Sequence, residues 1–283
     1  MNTFNFAFIN ICFNLHIYNK ISFHSQFEFF EGIDSRIKIE EELIEKAQSA
    51  EDVTCKSLES SGIPKKVINN KVCEQFKYFY KSLCTGENKE CNKNDYAFLN
   101  FWLNNILYSY EKSDQIDANV YFQKLKDKDR DFDKGDNLKS SIYKINNDTL
   151  DNMNIIYNLY RIYRNIYDGK DVVCIEHTQC LNYYNKIVEE YKKGLIKCPN
   201  YATNFCKSLG LFNIIITRNK VNLLLSNKFT LSDSLDLPTY AEIAKELGIY
   251  DGKEITLLIF SIVGPIFGII TLWIYLKKVK KFY

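Results

Sequence analysis

The spacing of apolar positions predicts a chain made mostly of helices. In six segments, apolar residues recur at intervals of three and four, which places them on one face of an α-helix. These segments are 36–50, 65–83, 95–110, 148–167, 178–193 and 239–247. The 283-residue chain has only 11 Gly and 4 Pro, so few tight turns interrupt it. We therefore predict an all-α, helical, cysteine-containing domain over residues 36–250.

Individual residues mark the expected ends and faces of these helices. Asn94 or Asp95 is the predicted N-terminal cap of helix 95–110. Gly169 and Gly194 are expected to end the helices that begin at residues 148 and 178. The aromatic face of helix 95–110 is expected to lie in the core rather than to bind a cofactor. This face comprises Phe98, Leu99, Trp102, Leu103 and Ile106.

A different apolar pattern appears near the end of the chain, where residues 255–276 contain no charged side chain. As an α-helix this segment would be roughly 33 Å long, which matches a hydrocarbon core of about 30 Å. We predict one transmembrane helix here, in contact with the lipid bilayer. Four lysines follow it, so residues 277–283 form a short basic cytoplasmic tail and the domain before the helix is extracytoplasmic.

Small residues in this segment offer a surface for helix pairing. Gly264 and Gly268 are four residues apart, a spacing that allows two helices to approach closely and form a weak homodimer. Pro265 between them favours a kink instead. A homodimer contact and a helix kink therefore both stay open as predictions.

Residues 1–35 are an uncertain N-terminal segment. They are apolar and aromatic, but the first basic residue is Lys20 and no small-x-small cleavage site follows. A conventional signal peptide is therefore not predicted. The transmembrane helix would then also serve as the insertion signal.

The distribution of charged residues argues against nucleic-acid binding and suggests one possible calcium loop. The 37 basic and 35 acidic residues give a net charge of +2, and no basic cluster indicates nucleic-acid binding. The charge run 126–136 has alternating acids like a calcium loop, but Phe132 and Leu138 occupy the positions that require Gly and Glu. We interpret it as a solvated loop.

Eight of the nine cysteines fall into two groups of four, which favours disulfides in an oxidising compartment. Eight cysteines allow 105 connectivities, so the pairs stay open, with bridges expected inside each group. The candidate disulfide cysteines are Cys55, Cys73, Cys84, Cys91, Cys174, Cys180, Cys198 and Cys206.

Two alternatives involve His177. Cys174, His177 and Cys180 could supply three zinc ligands, with Cys198 or Cys206 as the fourth, although paired C-x-x-C spacing is missing. A cysteine nucleophile beside His177 would instead make an enzyme. Neither has a further signature, so we predict no metal, no cofactor and no enzyme activity.

Three features together resemble the Plasmodium interspersed repeat (PIR) superfamily, which includes the Vir proteins of malaria parasites. The first is Cys91 followed by residues 95–105, DYAFLNFWLNN. The second is the cysteine group from Cys174 to Cys206, with residues 181–184 (LNYY) and Phe212. The third is the single predicted membrane helix followed by lysines.

This resemblance implies a variant antigen at or near the infected red-cell surface, acting in host interaction, adhesion and immune evasion through antigenic variation. A host receptor or serum protein would be the partner. The runner-up is a helical membrane protein that organises parasite or host-cell membranes without surface display. Residues 36–40 lack a leucine-containing export motif because Lys38 stands at the leucine position, so export to the red-cell membrane is implied by the family alone.

Overall fold

The computed structural model describes residues 26–49, 52–84, 91–110, 116–169, 171–198, 203–230 and 233–248. Within these ranges the chain is mostly helical. The α-helices are α1 (Ile33–Ser49), α2 (Val53–Lys56), α3 (Lys65–Asn69), α4 (Val72–Cys84), α5 (Lys93–Tyr110), α6 (Ala118–Lys128), α7 (Asn147–Arg164), α8 (His177–Ile196), α9 (Asn204–Leu225) and α10 (Tyr240–Glu246). A hairpin of β1 (Tyr167–Asp168) and β2 (Asp171–Val172) follows α7, and 3-10 turns occupy Glu28–Phe30 and Ser57–Ser61.

Helices α5 and α7 lie at the centre of the domain. Helices α4 and α6 pack on α5, α8 and α9 pack on α7, and α1 contacts both α4 and α7. The predicted core face of α5 is confirmed, because Phe98, Leu99, Trp102 and Leu103 are buried, and Ile106 is partly buried against the core. Phe101 is buried as well, so α5 is enclosed on nearly every side and its apolar pattern is broader than one stripe.

The N-terminal boundary of the core differs from the expected residue 36. Phe29 and Phe30 are buried, and the rings of Phe29 and Phe101 are 5.4 Å apart. The first aromatic residues of the described chain therefore pack against the central helix. Aromatic burial, rather than helical periodicity, brings them into the domain.

Several helix ends also differ from the prediction. The segment 65–83 is two helices, α3 and α4, because Lys71 between them has a left-handed backbone with φ of 54°. The cap of α5 is Asn92, whose side-chain oxygen accepts hydrogen bonds from the backbone N–H groups of Asn94 and Asp95 at 2.9 and 3.1 Å. The carboxylate of Asp95 accepts from Asn92 N–H at 3.0 Å, which completes a reciprocal cap.

Neither predicted glycine terminator ends its helix. Helix α7 stops at Arg164, and Gly169 has φ of 64° in the turn of the β1–β2 hairpin. Gly194 lies inside α8, where a Cβ would come within 2.9 Å of Leu209 and 3.3 Å of Ile155. Gly194 therefore allows α8 to approach α7 and α9 closely.

The charge run 126–136 is only partly a solvated loop. Its first residues belong to α6, and Phe132 and Asp133 are buried. The carboxylate of Asp133 accepts hydrogen bonds from the N–H groups of Asn137 and Leu138 at 2.9 and 3.1 Å. The interpretation as a solvated loop was therefore wrong for Phe132 and Asp133. Asp133 can be buried because neighbouring backbone N–H groups compensate its charge.

In the part of the chain that the structure describes, no helix combines the length and apolar character needed to cross a bilayer. The predicted transmembrane helix 255–276, the tail 277–283 and the pair Gly264 and Gly268 lie outside the described residues, as do residues 1–25.

Candidate binding site

The eight candidate cysteines form four disulfides. The pairs are Cys55–Cys73, Cys84–Cys91, Cys174–Cys180 and Cys198–Cys206. Every bridge joins cysteines of one group, with sequence separations of 18, 7, 6 and 8 residues. The bridges therefore fasten neighbouring elements rather than the two halves of the domain to each other.

The residues of the zinc and nucleophile alternatives have other partners. The sulfur atoms of Cys174 and Cys180 bond to each other, so in this state they are not the thiolates that zinc binding or nucleophilic attack requires. His177 Nε2 lies 3.0 Å from a carboxylate oxygen of Asp233. His177 thus contacts the segment 233–248 and not a cysteine thiol.

The sequence motif 95–105 is a structural hub. Trp102 donates from its indole N–H to Glu40 at 2.9 Å, and the Asp95 carboxylate pairs with Arg36 at 2.8 Å. Asn100 accepts from the N–H of Tyr143 at 2.9 Å. The motif therefore fastens α1 and the connection before α7 onto α5.

Glu40 is a second buried acidic group of this hub, beside Asp95. Both of its carboxylate oxygens are used, one by Trp102 and the other by the hydroxyl of Tyr157, which donates a hydrogen bond. Burial raises the pKa of Glu40, although these donors and the nearby Arg161 oppose the shift. Nothing in the helical spacing of 36–50 distinguished this acid from its exposed neighbours.

A surface groove of about 470 Å³ opens beside the first disulfide. Its volume lies in the range of small-ligand sites. We call it the Glu74 groove. It is lined by Asp52, by Glu74, Lys77, Tyr78, Tyr80 and Lys81 of α4, and by residues 131–134.

A three-charge contact fixes one end of the Glu74 groove. Asp52 caps α2 by accepting from the N–H groups of Thr54 and Cys55 at 2.8 and 3.2 Å. Lys77 contacts the carboxylate of Asp52 and lies 2.5 Å from that of Asp129. Burial disfavours the charged forms of Lys77 and Asp52. The hydrogen bonds between these groups outweigh it, so the pKa of Lys77 is raised and the pKa of Asp52 is lowered.

Two largely buried aromatic residues, Tyr80 and Phe132, also line the groove. The rings of Tyr80 and Phe132 meet edge to face at 5.5 Å, and the Tyr80 hydroxyl donates to Asp133 at 3.2 Å. Burial, together with the Asp133 charge, raises the pKa of Tyr80 to about 12. Tyr80 therefore stays neutral and serves as a hydrogen-bond donor.

Glu74 is a half-buried acidic group of the groove. In the described ranges no lysine, arginine or histidine forms an ion pair with it. Its carboxylate lies within 4.8 Å of the sulfur atoms of Cys55 and Cys73, which are oxidised. Burial raises the pKa of Glu74 and the negative charge of Asp52 adds to that effect, whereas a backbone hydrogen bond and the charges of Lys71 and Lys77 oppose it.

The last described segment, residues 233–248, runs along α8 from its beginning toward its end. We call it the neck. Beyond the His177–Asp233 contact, Tyr184 donates to the carbonyl of Leu235 at 2.5 Å, and Lys192 lies 3.3 Å from Glu246. The neck thus follows α8 for most of its length.

The comparisons with known proteins add no family. Comparison of the chain with protein-family models, with curated proteins and with solved structures found no match.

Proposed function

We propose that the chain is a non-catalytic, membrane-anchored antigen of a malaria parasite whose helical domain contacts host molecules and takes part in immune evasion. The observation that carries the proposal is the pairing of all eight cysteines of the described residues in disulfides. Disulfides persist in oxidising compartments and are rare where thiols are kept reduced.

Two sequence features support the anchoring and the biological role. Residues 255–276 have the length and apolar character of a transmembrane helix, and the following lysines favour an extracytoplasmic domain. The cysteine groups and the motif 95–105 resemble the PIR superfamily, from which the role as a variant antigen is inferred. The neck leads from the domain toward the predicted membrane helix.

Protease protection on intact infected red cells tests this proposal. A copy with an epitope tag inserted at the exposed turn around Gly169 should be stained without permeabilisation, and external trypsin should remove the staining. Alkaline carbonate washing should leave the protein in the membrane fraction, because a transmembrane helix resists extraction.

A cytosolic parasite marker must survive the same trypsin treatment as the control. Staining that requires permeabilisation, together with a trypsin-resistant tag, contradicts surface display. That result supports the alternative of a protein that organises membranes from within the infected cell.

A further inference from the structure

We propose that residues 4–18 form a second membrane contact, which lies in the extracytoplasmic surface of the same bilayer that the helix 255–276 is proposed to span. This inference rests on the anchor proposed above and adds a contact that the anchor does not require. Three observations carry it: the composition of the segment, the end of the domain to which it is joined, and the polar surface at that end.

The segment 4–18 is apolar and contains no aspartate, glutamate, lysine or arginine. Eleven of its fifteen residues are apolar or aromatic, and the others are Asn5, Asn10, Asn14 and His16. As an α-helix it would be about 22 Å long, which is shorter than a hydrocarbon core of about 30 Å. An uncharged apolar stretch of this length is suited to the membrane interface rather than to crossing the bilayer.

One end of the domain is formed by the end of α8 and the beginning of α9. We call it the base. The Cys198–Cys206 bridge closes the connection between these helices there. At the opposite end, Lys228 follows α9 and donates from Nζ to the carbonyl of Ile175, just before α8, at 2.5 Å. The two helices are therefore antiparallel, and the 22 residues of α9 separate the two ends by about 33 Å.

The first described residue, Gln26, lies at the base. The rings of Phe27 and Phe205 are 6.1 Å apart, and Phe205 belongs to the first turn of α9. Gln26 and Phe27 line the same groove as Lys197, which follows α8. The apolar segment is therefore joined to the base through residues 19–25, which can span at most about 28 Å.

The neck ends at the base as well. Glu246 lies 3.3 Å from Lys192, near the end of α8, and Gly248 follows two residues later. Only residues 249–254 separate Gly248 from the predicted transmembrane helix, and they can span at most about 25 Å. Both apolar segments of the chain are thus joined to the same end of the domain, so the N-terminal one can reach the bilayer that the other enters.

The described surface beside Gln26 favours lipid over the domain as the partner of the segment. A groove of about 450 Å³ opens there. Its two aromatic residues, Phe27 and Phe205, are themselves buried. Its polar lining residues are Thr149, Asn152, Lys197, Thr203 and Asn204. An apolar segment gains little from such a polar surface, whereas burial in lipid removes its side chains from water.

The test reconstitutes the full chain into phosphatidylcholine vesicles with one dye on Cys12, inside the segment. The other eight cysteines are paired in the four bridges, so a maleimide dye applied without reductant should react with Cys12 alone. Lipids that carry a nitroxide near the headgroup quench only a dye that lies close to them. We expect them to reduce the Cys12 fluorescence about twofold or more, because an interfacial segment lies roughly 5–10 Å into the boundary between headgroups and acyl chains.

A dye at the opposite end of the domain is the matched control for position. Leu225 is apolar and exposed, and it is the last residue of α9. The chain with Cys12→Ser and Leu225→Cys carries the same dye there and should keep its fluorescence. Equal quenching at both positions overturns the proposal, because the dye itself would then be drawing the labelled site into lipid.

Charged substitutions test the segment itself. Phe8→Asp with Ile11→Asp places two carboxylates in the apolar stretch and should restore most of the Cys12 fluorescence, since charges are costly in lipid. Ser22→Asp with Ser25→Asp adds the same charge after the stretch and should leave the quenching in place. Cys12 fluorescence that is quenched by iodide in the water, but not by the nitroxide lipid, rejects the second contact.

Failure of this inference is separable from failure of the proposed function. A chain that floats with the vesicles but shows no quenching at Cys12 keeps the anchor and rejects the second contact. An intact mass that lacks residues 1–18, measured on the chain from membranes, rejects it in the same way. Quenching at Cys12 that persists in Ile266→Asp supports the second contact even where carbonate extraction counts against a spanning helix.

Discussion

Single residues of this domain carry more of the architecture than their sequence positions suggest. Glu40 joins α1 to α5 through Trp102 and to α7 through Tyr157. Asp95 completes the cap that Asn92 forms on α5, and it also pairs with the buried Arg36. Replacing one member of such a buried polar network is expected to destabilise the fold strongly, because its hydrogen-bond partners are left unsatisfied.

Replacing Glu40 tests this hub. Glu40→Ala leaves the indole N–H of Trp102 and the hydroxyl of Tyr157 without their acceptor, and we expect a loss of about 2–4 kcal/mol in the free energy of unfolding. Denaturant titration followed by far-UV circular dichroism measures it. Glu41→Ala is the neighbouring control, since Glu41 forms a surface pair with Arg164 and its loss should cost about 0.5 kcal/mol. Equal losses for the two variants would contradict the assigned role of Glu40.

The same residue predicts how stability depends on pH. Burial raises the pKa of Glu40 above the ordinary glutamate value of 4.5. The folded state therefore keeps the proton over a pH window in which the unfolded chain has lost it, so the free energy of unfolding falls as pH rises above 4.5 toward the folded pKa. Glu40→Gln removes this component.

Denaturation midpoints measured over a pH series should consequently fall less steeply for Glu40→Gln than for the wild-type chain. The Glu42→Gln variant, which changes an exposed side chain nearby, should follow the wild-type curve. Parallel curves for Glu40→Gln and wild type would show that Glu40 titrates alike in both states.

Helix existence was more predictable than helix limits. The six predicted segments all contain helix, because their apolar spacing reflects burial on one face. The break at Lys71 was missed, since a left-handed polar residue between Asn70 and the buried Val72 leaves no mark in that spacing. Helix α9 was missed because its apolar residues are distributed around the helix, and α6 because it merges with the charge run.

Gly194 illustrates a position whose role depends on tertiary packing. Gly→Ala inside a helix usually stabilises by about 1 kcal/mol, but here the added Cβ would meet Leu209 in the packed core. We expect Gly194→Ala to lower the free energy of unfolding by about 1–2 kcal/mol. The double variant with Leu209→Ala should lose less than the sum of the two single losses, and an additive result would contradict the proposed contact.

The disulfides make an element-scale prediction of their own. Replacing Cys55 and Cys73 together by serine should cost about 3 kcal/mol, and replacing Cys84 and Cys91 about 2.5 kcal/mol, because the first pair closes a longer loop. Denaturant midpoints of the two double variants under identical conditions measure the difference. A larger loss for the shorter loop would show that packing around the bridge, rather than loop closure, dominates.

At the scale of the whole molecule, the sequence indicated the cysteine groups but left the groove unrecognised. Cys55 and Cys73 could be assigned to one group from spacing alone. The Glu74 groove could not be predicted, because its lining residues come from α4 and from residues 131–134, which are 50 to 60 positions apart in the chain. The burial of Asp133 depends on the same distant contact, so the acids of 126–136 appeared uniformly solvated.

Membrane anchoring is the whole-molecule prediction most directly open to mutation. Ile266 lies at the middle of the predicted transmembrane helix, and Ile266→Asp should disfavour insertion by about 2.5–3.5 kcal/mol. Carbonate extraction should then release a larger fraction of the protein. Ile249→Asp, placed before the predicted helix, is the matched control and should leave extraction unchanged. Equal release of both variants would argue against a membrane-spanning segment at 255–276.

The contacts of the neck with α8 determine how force from the proposed membrane anchor would reach the domain. Tension from a membrane anchor would arrive at Gly248 and reach first the Lys192–Glu246 contact, then the bond from Tyr184 to Leu235, and last the His177–Asp233 pair. Because these contacts are spaced along one helix, the load would be taken up one bond after another. If the proposed membrane anchor pulls on the domain, the neck would lengthen before the disulfide-fastened core is strained.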